Sequence, residues 1–171
     1  MAYSDRNLLG VNISATYTSA EAAALGIPLG TLVTAQHGQI YEFVKALSTV
    51  AQYDCVAFLA DSSTSNAFIQ QVAPADTTNG ALSYKVGIAQ VAIASGEYGY
   101  VAINGSQLQV KVLVACQPAV PLFLTATAGS LDDAVVSAAG VVGLIALASA
   151  TSASSVTCIA AFPHVGFLRA A

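Results

Sequence analysis

The sequence is short of charge. Nine Asp and Glu and five Lys and Arg make 14 charged residues among 171, 8% of the chain, where an average soluble domain has about 25%. The basic residues are scattered and the formal net charge is −4, which excludes the basic footprint of a nucleic-acid-binding protein. The 56% apolar content excludes a disordered chain, because disorder requires low hydrophobicity and high net charge.

This shortage constrains the surface. A chain of 171 residues is long enough for a real core, but it must cover itself with neutral polar groups or with partners. Obligate interfaces are depleted in charge at their centres. The composition therefore favours a subunit of a larger assembly, with a monomer of neutral surface as the alternative.

Residues that carry chemistry are also scarce. The three cysteines, Cys55, Cys116 and Cys158, lie far apart without metal-ligand or disulfide-framework spacing, which predicts buried free thiols made in a reducing cytoplasm. The two histidines, His37 and His164, have no ligand partner at metal spacing. Phosphate-loop, dinucleotide and nucleophile-elbow motifs are missing. We therefore expect a non-enzymatic protein with no catalytic residue, metal or cofactor.

One stretch raises the possibility of a membrane span. Residues Ala134 to Ala150 carry no charge and reach the short limit for a spanning helix. They consist largely of Ala, Ser, Gly and Val, without flanking Lys or Arg or an aromatic belt. No secretory signal pattern opens the chain. We expect no membrane partner.

The first 24 residues differ from the rest and are predicted to form an N-terminal arm or a short helix. The helix would begin after an N-cap at Ser19 and end before Gly26. Residues 1–18 show no alternation and are predicted to be an extended arm that contacts a neighbouring subunit, because they are too apolar for a solvated tail. The apolar residues of this arm are Leu8, Leu9, Val11, Ile13 and Tyr17.

From residue 25 to residue 171 a single β domain is predicted. Residues 29–46 indicate a strand, a turn at His37 and Gly38, and a second strand whose odd and even residues face opposite sides. Residues 84–116 indicate a three-strand meander. Its second turn is predicted at Asn104 and Gly105, since Asn-Gly is the strongest short hairpin signal.

Further short apolar runs bring the count to eight to ten strands separated by turns. This pattern predicts an all-β fold, an antiparallel barrel or sandwich. Tyr98 and Tyr100 alternate on one strand face. They are interpreted as a cross-strand aromatic pair within the sheet, and a sugar-stacking platform is the alternative.

Several hairpin motifs resemble those of head decoration, or cement, proteins of tailed bacteriophages. The motifs are G-x-x-Y-x-F-V-K-A from Gly38, Y-G-Y-V from Tyr98 and T-A-x-x-G from Thr125, and the similarity extends over about residues 25–165. Tyr100 stands where the family often has Trp. The resemblance implies a β-rich virion protein that binds the outer capsid surface, often as a homotrimer, and staples neighbouring major capsid subunits. It implies no catalytic residues.

Two other functions remain open on sequence grounds. The chain could be a tail or fibre-base structural β-domain, which shares the neutral, assembly-prone composition. It could also be a carbohydrate-binding β-module that uses Tyr98 and Tyr100.

Overall fold

The computed structural model describes residues 11–59, 70–80, 83, 85–134 and 139–167. Strands make up 49% of the described residues and helix 8%, which confirms the all-β prediction. One α-helix, α1, spans Ser19–Leu25 and a 3-10 turn spans Gln36–Gly38. The ten strands are β1 Leu32–Thr34, β2 Ile40–Ala46, β3 Cys55–Leu59, β4 Gln71–Pro74, β5 Val86–Ala89, β6 Tyr98–Val112, β7 Leu122–Leu124, β8 Leu131–Asp132, β9 Ala139–Ala146 and β10 Ser154–Phe167.

The strand pairings close into two rings that share β6. In the first ring β2 pairs with β4, β4 with β3, β3 with β5, β5 with β6, and β6 with β2. In the second ring β6 pairs with β10, β10 with β9, β9 with β7, β7 with β8, and β8 with β6. Most pairs are antiparallel, while β2–β4 and β6–β8 are parallel. Ring closure leaves few strand edges open to further pairing.

Both faces of the first ring are buried. Even-numbered positions of β2, such as Val44 and Ala46, belong to a small cluster of Val, Ala and Ile side chains. Odd-numbered positions, such as Tyr41 and Phe43, belong to a larger cluster that also contains the second ring. The predicted alternation of β2 is confirmed, and the structure adds that each of its two faces packs into a separate core.

The N-terminal segment packs on the chain's own domain. Helix α1 is capped by Thr18, whose hydroxyl accepts a hydrogen bond from the Glu21 amide while the Glu21 carboxylate accepts one from the Thr18 amide. Gly26 ends the helix in the left-handed conformation. The predicted helix is thus confirmed, with its cap one residue earlier than Ser19. Residues 11–18 differ from the predicted reaching arm, because Val11 and Tyr17 pack against the large core.

Strand β6 runs without interruption through Asn104 and Gly105, so the predicted hairpin turn there is wrong. Asn104 pairs with Ile40 on one side and with Ala161 on the other. A two-residue turn of the predicted type needs positive φ at both residues, but only Gly105 has it, at 124°. At Gly105 a Cβ would lie 2.6 Å from the Cα of Gln39. Glycine is required here for a close backbone approach, not for chain reversal.

The apolar stretch near the C-terminus forms strands. Residues 139–146 are β9, which pairs with β10 and β7. Among the described residues no helix is long and apolar enough to cross a membrane. The polar sequence at residues 61–66 predicts a loop, and these residues lie outside the described part of the chain.

Candidate interaction surface

Two buried carboxylates are paired with lysines whose own side chains stay partly exposed. Glu42 is buried and accepts a hydrogen bond from the Lys85 ammonium. Asp54 is also buried, and Lys111 Nζ lies 2.6 Å from its Oδ1. Of the three lysines in the described part of the chain, two are therefore committed to buried carboxylates. Each pair is neutral as a whole, so these two lysines add no net charge to the surface.

The outer side of the β9–β10 ribbon is apolar. Ile145 and Ile159 lie directly opposite each other in the antiparallel register. They are 48% and 43% exposed, although isolated proteins rarely leave contiguous apolar surface uncovered. Val142 and Leu147 extend the strip along β9 and are half-exposed as well. We call these four residues, Val142, Ile145, Leu147 and Ile159, the β9–β10 apolar face.

A bulge shapes one end of this face. The register between β9 and β10 shifts between Ala160 and His164, and Gly143 lies opposite with φ of 83°. A Cβ on Gly143 would come within 2.6 Å of the Ala161 carbonyl oxygen, so glycine lets the strands approach. Within the bulge, Phe162 is 57% exposed. The bulge therefore exposes an aromatic side chain, which lines a small pocket together with residues of β5 and β6.

A groove lies beside the β9–β10 apolar face. Its volume is 420 Å³, and its walls come from residues 119–122 and from β9, including Val142 and Ile145. None of its lining residues is charged. Together with the apolar face, the groove offers concave as well as flat apolar surface to a protein partner.

Tyr98 and Tyr100, for which a sugar-stacking platform was the alternative interpretation, pack into the sheet. Tyr100 is buried, and its ring centroid lies 5.0 Å from that of Phe43. The Tyr98 ring stacks on the Phe43 ring, with their centroids 6.0 Å apart. The Tyr17 ring packs edge-on against Phe43 at a centroid distance of 6.2 Å. These rings form a cross-strand aromatic cluster that fixes the N-terminal segment to the sheet, so the aromatic-pair interpretation is confirmed.

The remaining residues that could carry chemistry are the cysteines and the potential metal ligands. All three cysteines are free and buried, as predicted, and burial raises the pKa of the Cys55 and Cys158 thiols to about 12. No group of three or more metal-ligating side chains occurs in the described part of the chain.

Of the predicted site residues, the structure brings Tyr17, Tyr98 and Tyr100 together around Phe43. Val11, Ile13 and Tyr17 lie on the large core, while Leu8 and Leu9 fall outside the described residues. Sequence reasoning missed the β9–β10 apolar face. Its signal was present as a run without any Asp, Glu, Lys or Arg from Ala134 to Leu168, but exposure of alternate residues became evident only with the strand register.

Comparisons with known proteins give little further information. No protein-family model matches the chain, and no curated protein matches it in sequence. Among solved structures, the head fiber gp8.5 N base of bacteriophage phi29 is similar, with 14% identity and a TM-score of 0.48 over 75% of this chain and 98% of that chain. A likeness at this level does not carry a functional argument, so function is argued from the chain's own surface.

Proposed function

We propose that the chain is a non-enzymatic structural protein of a tailed-phage virion, a decoration protein that binds the outer surface of the capsid. In this role it contacts neighbouring major capsid subunits and copies of itself, as a homotrimer, and so stabilises the head. The observation that carries the proposal is the β9–β10 apolar face, an exposed strip without charge on a protein in which two of the three described lysines pair with buried carboxylates. The hairpin motifs that resemble decoration proteins point to the same role.

The energetics of the face suit repeated, individually weak contacts. Burying a whole Val, Leu, Ile or Phe side chain contributes about 1.5–3 kcal/mol. The four residues of the face and Phe162 are about half-exposed, so completing their burial contributes roughly 5 kcal/mol before the entropic cost of association. One such contact binds weakly. A trimer that engages a lattice at several points gains affinity through effective concentration.

The first experiment is mass spectrometry of purified virions from the source of this sequence. A decoration protein should be present in hundreds of copies per particle, because it follows the capsid lattice symmetry. A tail or fibre-base component, the second structural candidate, would be present in tens of copies or fewer. Absence from particles would refute both.

The second experiment tests the surface itself. Ile145→Glu places a charge on the apolar face and should reduce occupancy on undecorated heads, because the carboxylate would be desolvated without a partner. Leu47→Glu is the matched control, since Leu47 is 44% exposed and follows β2 in the other ring. Binding of the native protein should vary little with salt. Equal loss in both variants, or loss in neither, would contradict the assignment of the face.

A further inference from the structure

A second concave feature lies away from the β9–β10 groove and has a different chemistry. It has a volume of 510 Å³, within the range of about 300–1,000 Å³ typical of small-molecule sites. Its walls contain no Asp, Glu, Lys or Arg. They do contain five glutamines, Gln36, Gln39, Gln90, Gln107 and Gln109. We call this feature the glutamine cleft.

Three of these amides form a fixed inner layer. Gln39 Nε2 donates to the Ser106 carbonyl at 2.9 Å, and its Oε1 accepts from the Tyr41 hydroxyl at 3.1 Å. Gln90 is held at both ends by the backbone of Gln109, and the Gln109 Nε2 donates to the Thr157 hydroxyl at 2.9 Å. These bonds join β2, β5, β6 and β10, so the floor of the cleft is pre-organised.

The other two glutamines stand at the rim with unused hydrogen-bonding groups. Gln36 and Gln107 are exposed, and within the described part of the chain their side chains have no hydrogen-bond partner. The backbone is strained at Gln107 itself and at the residue after Gln36. Gln107 has φ of 59°, and His37, next to Gln36, has φ of 57°. Left-handed backbone at residues other than glycine costs about 1–3 kcal/mol and concentrates at ligand sites.

We propose that the glutamine cleft binds a neutral glycan. Amide groups both donate and accept hydrogen bonds, which matches the paired donor and acceptor character of sugar hydroxyls. No Asp, Glu, Lys or Arg lines the cleft to pair with a phosphate, a carboxylate or an ammonium group, and its one imidazole is that of His37. Ile13, Ala35 and Tyr41 supply apolar wall for the carbon face of a sugar ring. The site is distinct from Tyr98 and Tyr100 and does not depend on the capsid role.

The test uses ¹⁵N-labelled full-length protein and the side-chain amide resonances of its glutamines. Maltose, cellobiose and di-N-acetylchitobiose serve as probes at millimolar concentration. At least one of them should shift the Gln36 and Gln107 amides in a saturable manner. The double variant Gln36→Ala/Gln107→Gly removes both free amides, and glycine at 107 keeps the left-handed backbone accessible. It should weaken binding about tenfold, as expected for two lost hydrogen bonds.

Gln117→Ala is the control, because Gln117 is an exposed glutamine outside the cleft and its loss should leave binding unchanged. An unchanged backbone spectrum of the double variant establishes that it is folded. Three results would overturn the inference: no saturable shift with any probe, equal binding by the double variant, or a neutral capped tripeptide that shifts the same amides when no saccharide does. The last result would identify a peptide site instead.

Discussion

Gly105 offers the sharpest test of the fold, because sequence and structure assign it different roles. A hairpin glycine in the left-handed region tolerates Asn. In the structure Gly105 has φ of 124° inside β6, and a Cβ there would lie 2.6 Å from Gln39 Cα and 2.9 Å from Gln39 N. Because both contacts are backbone atoms, the clash cannot be relieved by a side-chain rotation.

The expected cost of Gly105→Ala has two parts. Backbone strain at a non-glycine residue contributes about 1–3 kcal/mol, and overpacking contributes about 1–3 kcal/mol more. Gly96→Ala separates them, since Gly96 has φ of 83° with no atom within 4 Å of a new Cβ. The stability lost in Gly96→Ala should therefore come from backbone strain alone. Gly105→Asn should be at least as harmful as Gly105→Ala, because Asn also carries a Cβ.

The assay is urea unfolding followed by circular dichroism, with thermal melting as a second measurement. A cost of about 1 kcal/mol corresponds to roughly 2–4 °C in Tm for a chain of this size, so Gly105→Ala should melt well below Gly96→Ala. If the two variants are equally stable, the close approach of β6 to Gln39 is refuted. If Gly105→Asn is tolerated, the hairpin interpretation is restored.

Three further outcomes are expected. Tyr100→Phe should leave Tm unchanged or raise it, because the buried Tyr100 hydroxyl has no hydrogen-bond partner among the described residues. A loss of more than about 1 kcal/mol in the free energy of unfolding would reveal a hidden partner. Lys111→Met should destabilise by about 1–3 kcal/mol in urea unfolding, because it leaves the buried Asp54 carboxylate without its cation; a fully additive double variant with Asp54→Asn would contradict this coupling. Cys55 and Cys158 should resist alkylation in the native protein, and melting should be the same with and without reductant. Because burial raises the pKa of both thiols from 9.0 to about 12, stability should fall as the pH rises from 9 towards 12, and an unchanged Tm in that range would contradict the assigned burial.

Local patterns in the sequence were sufficient for much of the fold. Alternation assigned the two faces of β2, the capping residues and Gly26 placed α1, and the isolated cysteines indicated buried thiols. These features depend on neighbours within a few residues, so they can be inferred from the sequence alone. The shortage of charge also predicts an assembly-prone surface from composition alone.

Only the tertiary structure decided the features that depend on long-range pairing. Asn104-Gly105 has the local preference of a turn, yet ring closure places β2 and β10 on either side of it, and the strand continues through it. The glutamine cleft joins residues more than 100 positions apart, from Ile13 to Thr157. The β9–β10 apolar face depends on which neighbours β9 and β10 leave uncovered. The composition determines that the chain has few charged residues, and the strand register determines which uncharged side chains are exposed.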